Sequence, residues 1–358
     1  MIFEKLTFRS VTVRPTLVPL RRPVVSKVGL FDQWPIILID IETEEGVVGR
    51  SYLEPYLKTS VRSIVPVIHD LAAQRKGQPI RPIDDFRQGQ KSQSLIGYEG
   101  VSMIAVSGLD MAAWDALAKA ANMPLAVFLG GSIGPVPAYN SNGLWLTEVD
   151  TLAEEARALV GEGGFKGLKL RLGRDRLGDD TKAIEAVRSA VGPDVKLMAD
   201  FNQGLSLGDA LHRCHALDDQ GLYWFEEPIT YNNLAGYTQL TRELNTPVQL
   251  GENFYGPRAL QQALTNGAGD YVMPDLMRIG GVTAGCAPQR LQELPASRCP
   301  RTCIRSSRRT SSALRKPHIG WNGKIGPTPF LPRRSRWATV ALLSPTAWAP
   351  ASSGTRPP

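Results

Sequence analysis

Three stretches decide the fold: "VKLMADFN" (Val195–Asn202), "LYWFEEP" (Leu222–Pro228) and "TPVQLGEN" (Thr246–Asn253). Each is a short apolar run that ends on a carboxylate, and Asp200, Glu226 and Glu252 fall at the same place in successive runs. The pattern extends upstream through "PVPAYN" (Pro135–Asn140) and "FKGLKLRL" (Phe165–Leu172), and downstream to "DYVMPD" (Asp270–Asp275). Between the runs lie amphipathic helical stretches such as "TLAEEARALVGEG" and "DDTKAIEAVRSAVG". Short strands alternating with helices argue parallel βα units. Six units in series, with no glycine-rich dinucleotide fingerprint after the first, predict an α/β TIM-type barrel rather than a doubly wound sheet. Closure of such a barrel takes about two more units. After Gly280-Gly281 the rhythm stops, so the barrel segment is predicted over residues 131–285 and incomplete beyond it.

Residues 1–130 follow a different pattern. "IFEKLTFRSVTVR" alternates as a strand does, and "WPIILIDIETEEGVVGRSYLE" reads as two strands joined at Glu44-Glu45-Gly46. "VSMIAVSGLDMAAWDALAKAANMPLAVFLGG" has helical spacing, with Ile104, Leu109, Ala112, Trp114 and Leu117 on or near one face, and is ended by Gly130-Gly131. A small α+β domain is expected.

The chain of 358 residues carries a formal charge of +7, unevenly spread. From Cys286 to Pro358, 13 Lys and Arg face the single acid Glu293, so this tail carries +12 and residues 1–285 carry −5. The body is mildly acidic. It holds one cysteine, Cys214, which makes no disulfide framework and fits a reducing cytoplasm. No signal pattern opens the chain and no run of about 18 apolar residues is present, so no membrane association is expected.

The strand-end acids carry the chemistry. In a parallel barrel the C-terminal rim is where active sites are built. Asp200, Glu226 and Glu252 come from three successive strand ends and should converge beside Lys169. Oxygen-only ligands with open positions suit Mg²⁺, with Mn²⁺ as an alternative. Glu227 follows Glu226 directly, so strand alternation sends its side chain to the other face.

The motifs "GLKLRLG", "MADFNQ", "WFEEP", "LGENFYG" and "MPDLMRIGGVT", in this order, resemble the successive barrel motifs of the enolase superfamily, mandelate racemase subgroup. "LIDIETEEGVVGRSYLEPY" and "GLDMAAWDALAKAANMPLAVFLGG" resemble that subgroup's capping domain. The resemblance runs from about residue 5 to 285. It implies a capping domain over a modified (β/α)7β barrel. It also implies Mg²⁺-assisted removal of a proton α to a carboxylate, with Asp200, Glu226 and Glu252 holding the ion and Lys169 stabilising the enediolate. Asn202 matches a substrate-contacting residue and Tyr56 a capping-loop residue. Val24 to Phe31 matches an apolar flap, and Asp275 matches an aspartate that orients a catalytic histidine. A small-molecule carboxylate partner and a homo-oligomer, dimer to octamer, are further implications.

Two departures stand out. Where the subgroup commonly has Lys-x-Lys, this chain has Lys169-Leu170-Arg171. Arginine stays protonated, a poor base and a good carboxylate clamp. The reaction expected is racemisation of a 2-hydroxy acid, with dehydration of an acid sugar as the alternative that Arg171 favours. The second departure is the missing histidine of the next strand. His69, His212, His215 and His318 are not placed for that role.

In its place stands "SRCPRTCIRSSRRTSSALRK" (Ser297–Lys316). Read one base earlier, permitted codons turn Cys299 to Ser306 into Met-Pro-Ala-His-Leu-His-Pro-Glu, and Ile319 to Asn322 into His-Trp-Leu-Glu. These strings look like the absent histidine segment and the strand-end glutamate that follows it. A one-base shift near codons 283–286 accounts for the basic tail, whether as a mutation or as a sequencing error. A disordered tail, poor folding and little turnover are expected of the chain as printed. A non-catalytic product that keeps only a metal site is the remaining alternative. Nucleic-acid binding by the tail is disfavoured, since it has no aromatic or helical pattern to position it.

Overall fold

The computed structural model describes residues 6–286. The expected tail, with Cys299, Cys303, His318 and the proposed change of frame, lies outside the described residues. The N-terminal part is an antiparallel sheet of β1 (Phe8–Ser26), β2 (Gly29–Thr43) and β3 (Val48–Leu53), in that order. Strands β2 and β3 join through the turn at Glu44 to Val47, as the sequence predicts. β1 and β2 are far longer than their apolar runs, because they continue as a hairpin to the Ser26–Gly29 pair. That hairpin is the segment matched to the flap.

Helices α1 (Lys58–Ala73), α2 (Pro82–Ser92), α3 (Val101–Ala120) and α4 (Leu125–Phe128) follow. The sequence reading has no counterpart for α1 and α2. It also ran α3 and α4 together; Asn122 at φ 52° and Pro124 separate them. Proline at position 124 restrains the residue before it from helical geometry. Helix α3 is buried nearly all round rather than along one face, since β3, α1 and α2 pack on it from different sides. By length and hydropathy α3 would pass for a membrane span, yet 83% of the relevant window is buried inside the protein. Core packing explains its apolarity.

The C-terminal part is a parallel sheet of five strands in sequence order: β4 (Gly167–Arg171), β5 (Lys196–Asp200), β6 (Phe225–Glu226), β7 (Val248–Leu250) and β8 (Tyr271–Val272). The connections are α5 (Val149–Gly161), which precedes β4, then α6 (Leu177–Val191), α7 (Leu207–Leu217), α8 (Leu234–Glu243) and α9 (Gly256–Asn266). After β8 come α10 (Leu276–Ile279) and α11 (Gly281–Gly285). Of the six expected runs, "PVPAYN" forms only a parallel bridge, Asn140 to Leu168. The register aligns Arg171 with Asp200 and Asp200 with Glu226, which brings the rim residues level.

α3 joins the two parts. Asp110 accepts from the Thr283 backbone N–H at 3.0 Å and from the Thr283 hydroxyl, while Trp114 Nε1 donates to Thr283 Oγ1 at 2.9 Å. Only glycine fits at 281, where φ is +73° and a Cβ would sit 2.3 Å from Asp110 Oδ2. Burial pushes the Asp110 carboxyl up to about 7, against the opposing Thr283 hydrogen bonds. The folded state therefore holds a proton that the unfolded chain releases near pH 4. Its contribution is full below that pH and is lost as pH rises to about 7. The expected outcome is a fall in urea-measured stability between pH 4.5 and 7.5, on the order of 3 kcal/mol from this group. Asp110→Asn should flatten that part of the profile; an unchanged slope would contradict it.

Candidate active site

The rim of the parallel sheet and the β1–β2 hairpin enclose a cavity of about 450 Å³. Arg171, Asn202, Glu227, Glu252, Asn253 and Arg278 form its polar side. Val24, Val28, Phe31, Trp34 and Leu57 form an apolar roof. Six described non-glycine residues have positive φ, and Tyr56, Asn202, Gln203 and Glu227 among them line this cavity. Such backbone costs on the order of 1 kcal/mol or more per residue and persists where packing imposes it.

Lys169 projects from the middle of β4 and is fully buried. Its ammonium lies 2.6 Å from Glu226 Oε1 and 2.9 Å from Asp200 Oδ2. Burial opposes that charge, but Asp200 and Glu226 outweigh it and hold the Lys169 pKa well above its usual value. Trp224 Nε1 donates to Glu226 Oε2 at 3.1 Å, so both oxygens of Glu226 are engaged. Burial lifts the Glu226 carboxyl to about 7; Lys169 counters this, while Asp200 and Glu252 add to it. Asn202 is tied to Asp200, donating its backbone N–H at 2.8 Å and its amide at 3.1 Å.

Arg171 is as buried as Lys169 and more tightly framed. Nη1 and Nη2 donate to the Ser141 carbonyl at 3.1 Å and its hydroxyl at 3.0 Å. The guanidinium stacks 4.1 Å over the Trp145 ring, and Nε stands 3.8 Å from Asp200 Oδ2. Asp275 caps α10 through the Met277 N–H at 2.7 Å and accepts from the Tyr56 hydroxyl at 3.1 Å. Tyr56 in turn packs edge-on against Trp34, with ring centroids 5.5 Å apart.

Strand alternation misplaces Glu227. The backbone turns left-handed there, at φ 38°, so its side chain does not cross to the other face and lines the cavity near Glu252. Burial, followed by Glu252 and Asp200, holds its carboxyl well above the usual range, and Oε1 has no hydrogen-bond partner. Sequence reasoning also missed Arg278, Trp145 and Ser141. Arg278 has a legible signal, since it follows Asp275 by one helical turn. The other two enter through tertiary contacts alone.

Asp200, Glu226 and Glu252 are thus neighbours, but among the described residues no three acids surround a common point. The Lys169 ammonium is the cation between two of them. Asp200, Glu226, Glu227 and Glu252 are the groups that could hold a metal ion. Of the described histidines, His69, His212 and His215 are exposed and line no part of the cavity.

Comparison with known proteins accords with this architecture. The family "Mandelate racemase / muconate lactonizing enzyme, N-terminal domain" matches residues 8–130, and "Enolase C-terminal domain-like" matches 151–288. The chain belongs to the enolase superfamily, mandelate racemase type. A solved enolase from alpha proteobacterium BAL199, with bound Mg, is 54% identical at a TM-score of 0.77, covering 80% of this chain and 81% of that one. A Bradyrhizobium enolase, solved with magnesium and mandelic acid, is 36% identical at TM-score 0.76 and covers 80% of each chain. L-talarate/galactarate dehydratase from Salmonella typhimurium is 31% identical over 69% of this chain, which spans 62% of the relative's length. Further superfamily relatives are named as a cycloisomerase, an epimerase and a racemase.

Removing the shared cation tests the ionised core directly. Lys169→Met leaves Asp200 and Glu226 buried without it and should cost about 3–5 kcal/mol of stability in urea unfolding at pH 7. A loss below about 1 kcal/mol would contradict the ionised arrangement.

Proposed function

We propose that this chain derives from a Mg²⁺-dependent enzyme that removes the proton α to the carboxylate of a 2-hydroxy acid and completes the reaction by losing a β-hydroxyl. The donor set fits the ion. Asp200, Glu226 and Glu252 offer only oxygens; burial first, with Asp200 and Glu252 adding to it against Lys169, raises the Glu226 carboxyl, and a divalent cation would relieve that crowding. Mg²⁺ there would supply Lewis-acid stabilisation of the enediolate charge. Lys169 would add an ammonium donor where that charge develops, and burial would make its contribution stronger than in water. Phe31, Trp34 and Val24 form an apolar side of the cavity.

Arg171 is the observation that favours elimination. Racemisation needs a proton acceptor on each face of the substrate. The side from which β4 contributes has only Lys169, held protonated, and Arg171, clamped by Ser141 and Trp145. A chain with its frame restored would gain one base, on the Asp275 side, and one base suffices for dehydration. A racemase reading keeps one support. The apolar roof suits an apolar substituent, and a relative 36% identical was solved with mandelic acid.

Among the described residues no histidine lines the cavity, so the printed chain should bind but turn over little. The test is NMR in D₂O with Mg²⁺, on the printed chain and on one whose frame is restored by a single base near codon 284. The restored chain should convert a 2,3-dihydroxy acid to a 2-keto acid. The printed chain should show at least a 100-fold slower reaction, as loss of general-base catalysis typically gives about 10²–10⁴-fold. Deuterium entry at Cα of a 2-hydroxy acid without keto acid would favour racemisation. No exchange on any hydroxy acid by the restored chain would refute both readings.

A further inference from the structure

Arg278 is 9% exposed, lies on α10, and plays no part in the chemistry above. Nη1 donates to the Glu252 backbone carbonyl at 3.1 Å and to Asn253 Oδ1. Its Nε has no hydrogen-bond partner and faces Asp275 Oδ2 at 4.0 Å. The guanidinium carbon stacks 4.4 Å over the Tyr56 ring. Asn253, held on its oxygen side by Arg278, donates its amide to Glu227 Oε2. One planar cation therefore touches the end of β7, the end of β8 and the capping loop, and reaches Glu227 through a single amide. A guanidinium suits this task because its donors are fixed in a fork while its face stacks on an aromatic ring.

We propose that Arg278 is a positioning residue of the site: it locks the strand end carrying Glu252 against the one carrying Asp275, and through Asn253 it aims Glu227 into the cavity. The inference rests on the metal reading of the site, since fixing Glu252 matters most if that carboxylate holds an ion. Groups that orient metal ligands commonly contribute about 10- to 100-fold to metal affinity.

The test is calorimetric titration of the full chain with MgCl₂. Arg278→Met should weaken binding by about 10- to 100-fold, and Arg278→Lys should recover only part of the loss, because lysine has no fork. Asn253→Ala should weaken binding in the same direction, and it carries the test if Arg278→Met does not fold. Arg188→Met is the control. Arg188 braces α6 through the carbonyls of Gly192, Val195 and Gly221, away from the cavity. It should lower Tm while leaving Mg²⁺ affinity within about 3-fold, a change of well under 1 kcal/mol. Wild-type affinity in Arg278→Met, or an equal loss in Arg188→Met, overturns the inference while the metal reading stands. A wild-type chain that takes up no Mg²⁺ overturns both.

Discussion

Asp200, Glu226, Glu227 and Glu252 share one buried wall, and ionised carboxylates in a poorly hydrated space repel one another. The rest of the site is arranged around that repulsion. Lys169 lies between two of the acids, Arg171 approaches Asp200, and Arg278 is anchored beside Glu252. Even so, burial and mutual crowding push Glu226 up to about 7 and hold Glu227 well above the usual carboxylate range. A protein that only needed stability would fare better with apolar residues here, since buried ion pairs rarely repay their desolvation. Their cost to folding supports the proposal that binding and chemistry occur at this wall.

The capping part covers one side of this wall. The long β1–β2 hairpin reaches over the rim, and Trp34 fixes Tyr56 against it while Tyr56 touches Asp275. The α3–Thr283 contacts tie the capping part to the barrel segment. Site geometry thus depends on a joint between two parts whose sequences read as independent.

Much of this was legible in the sequence, for a definite reason. Parallel strands deliver their last residues to one rim, so Asp200, Glu226, Glu252, Lys169 and Arg171 could be assigned to a common place from spacing alone. Alternation failed at Glu227 because a single left-handed residue resets the facing of a side chain, and nothing in "WFEEP" announces it. The break between α3 and α4 was signalled by Pro124 but masked by a continuous apolar pattern. The Lys169-Leu170-Arg171 pattern points to Arg171 as a carboxylate clamp; its stacking on Trp145 and bonds to Ser141 depend on residues 26 to 30 positions earlier, which no local pattern reveals. Asp110 gave no sign of its role, since an acid in an apolar helix acquires its meaning only from Thr283.

The central claim is that the acid wall is built for a divalent cation. Anomalous diffraction from crystals of this chain grown with Mn²⁺ tests it most directly. The account predicts one strong peak within bonding distance of Asp200, Glu226 and Glu252, with the Lys169 ammonium displaced from between Asp200 and Glu226. A cavity without an anomalous peak at saturating Mn²⁺, with Lys169 still bridging the two acids, would contradict it.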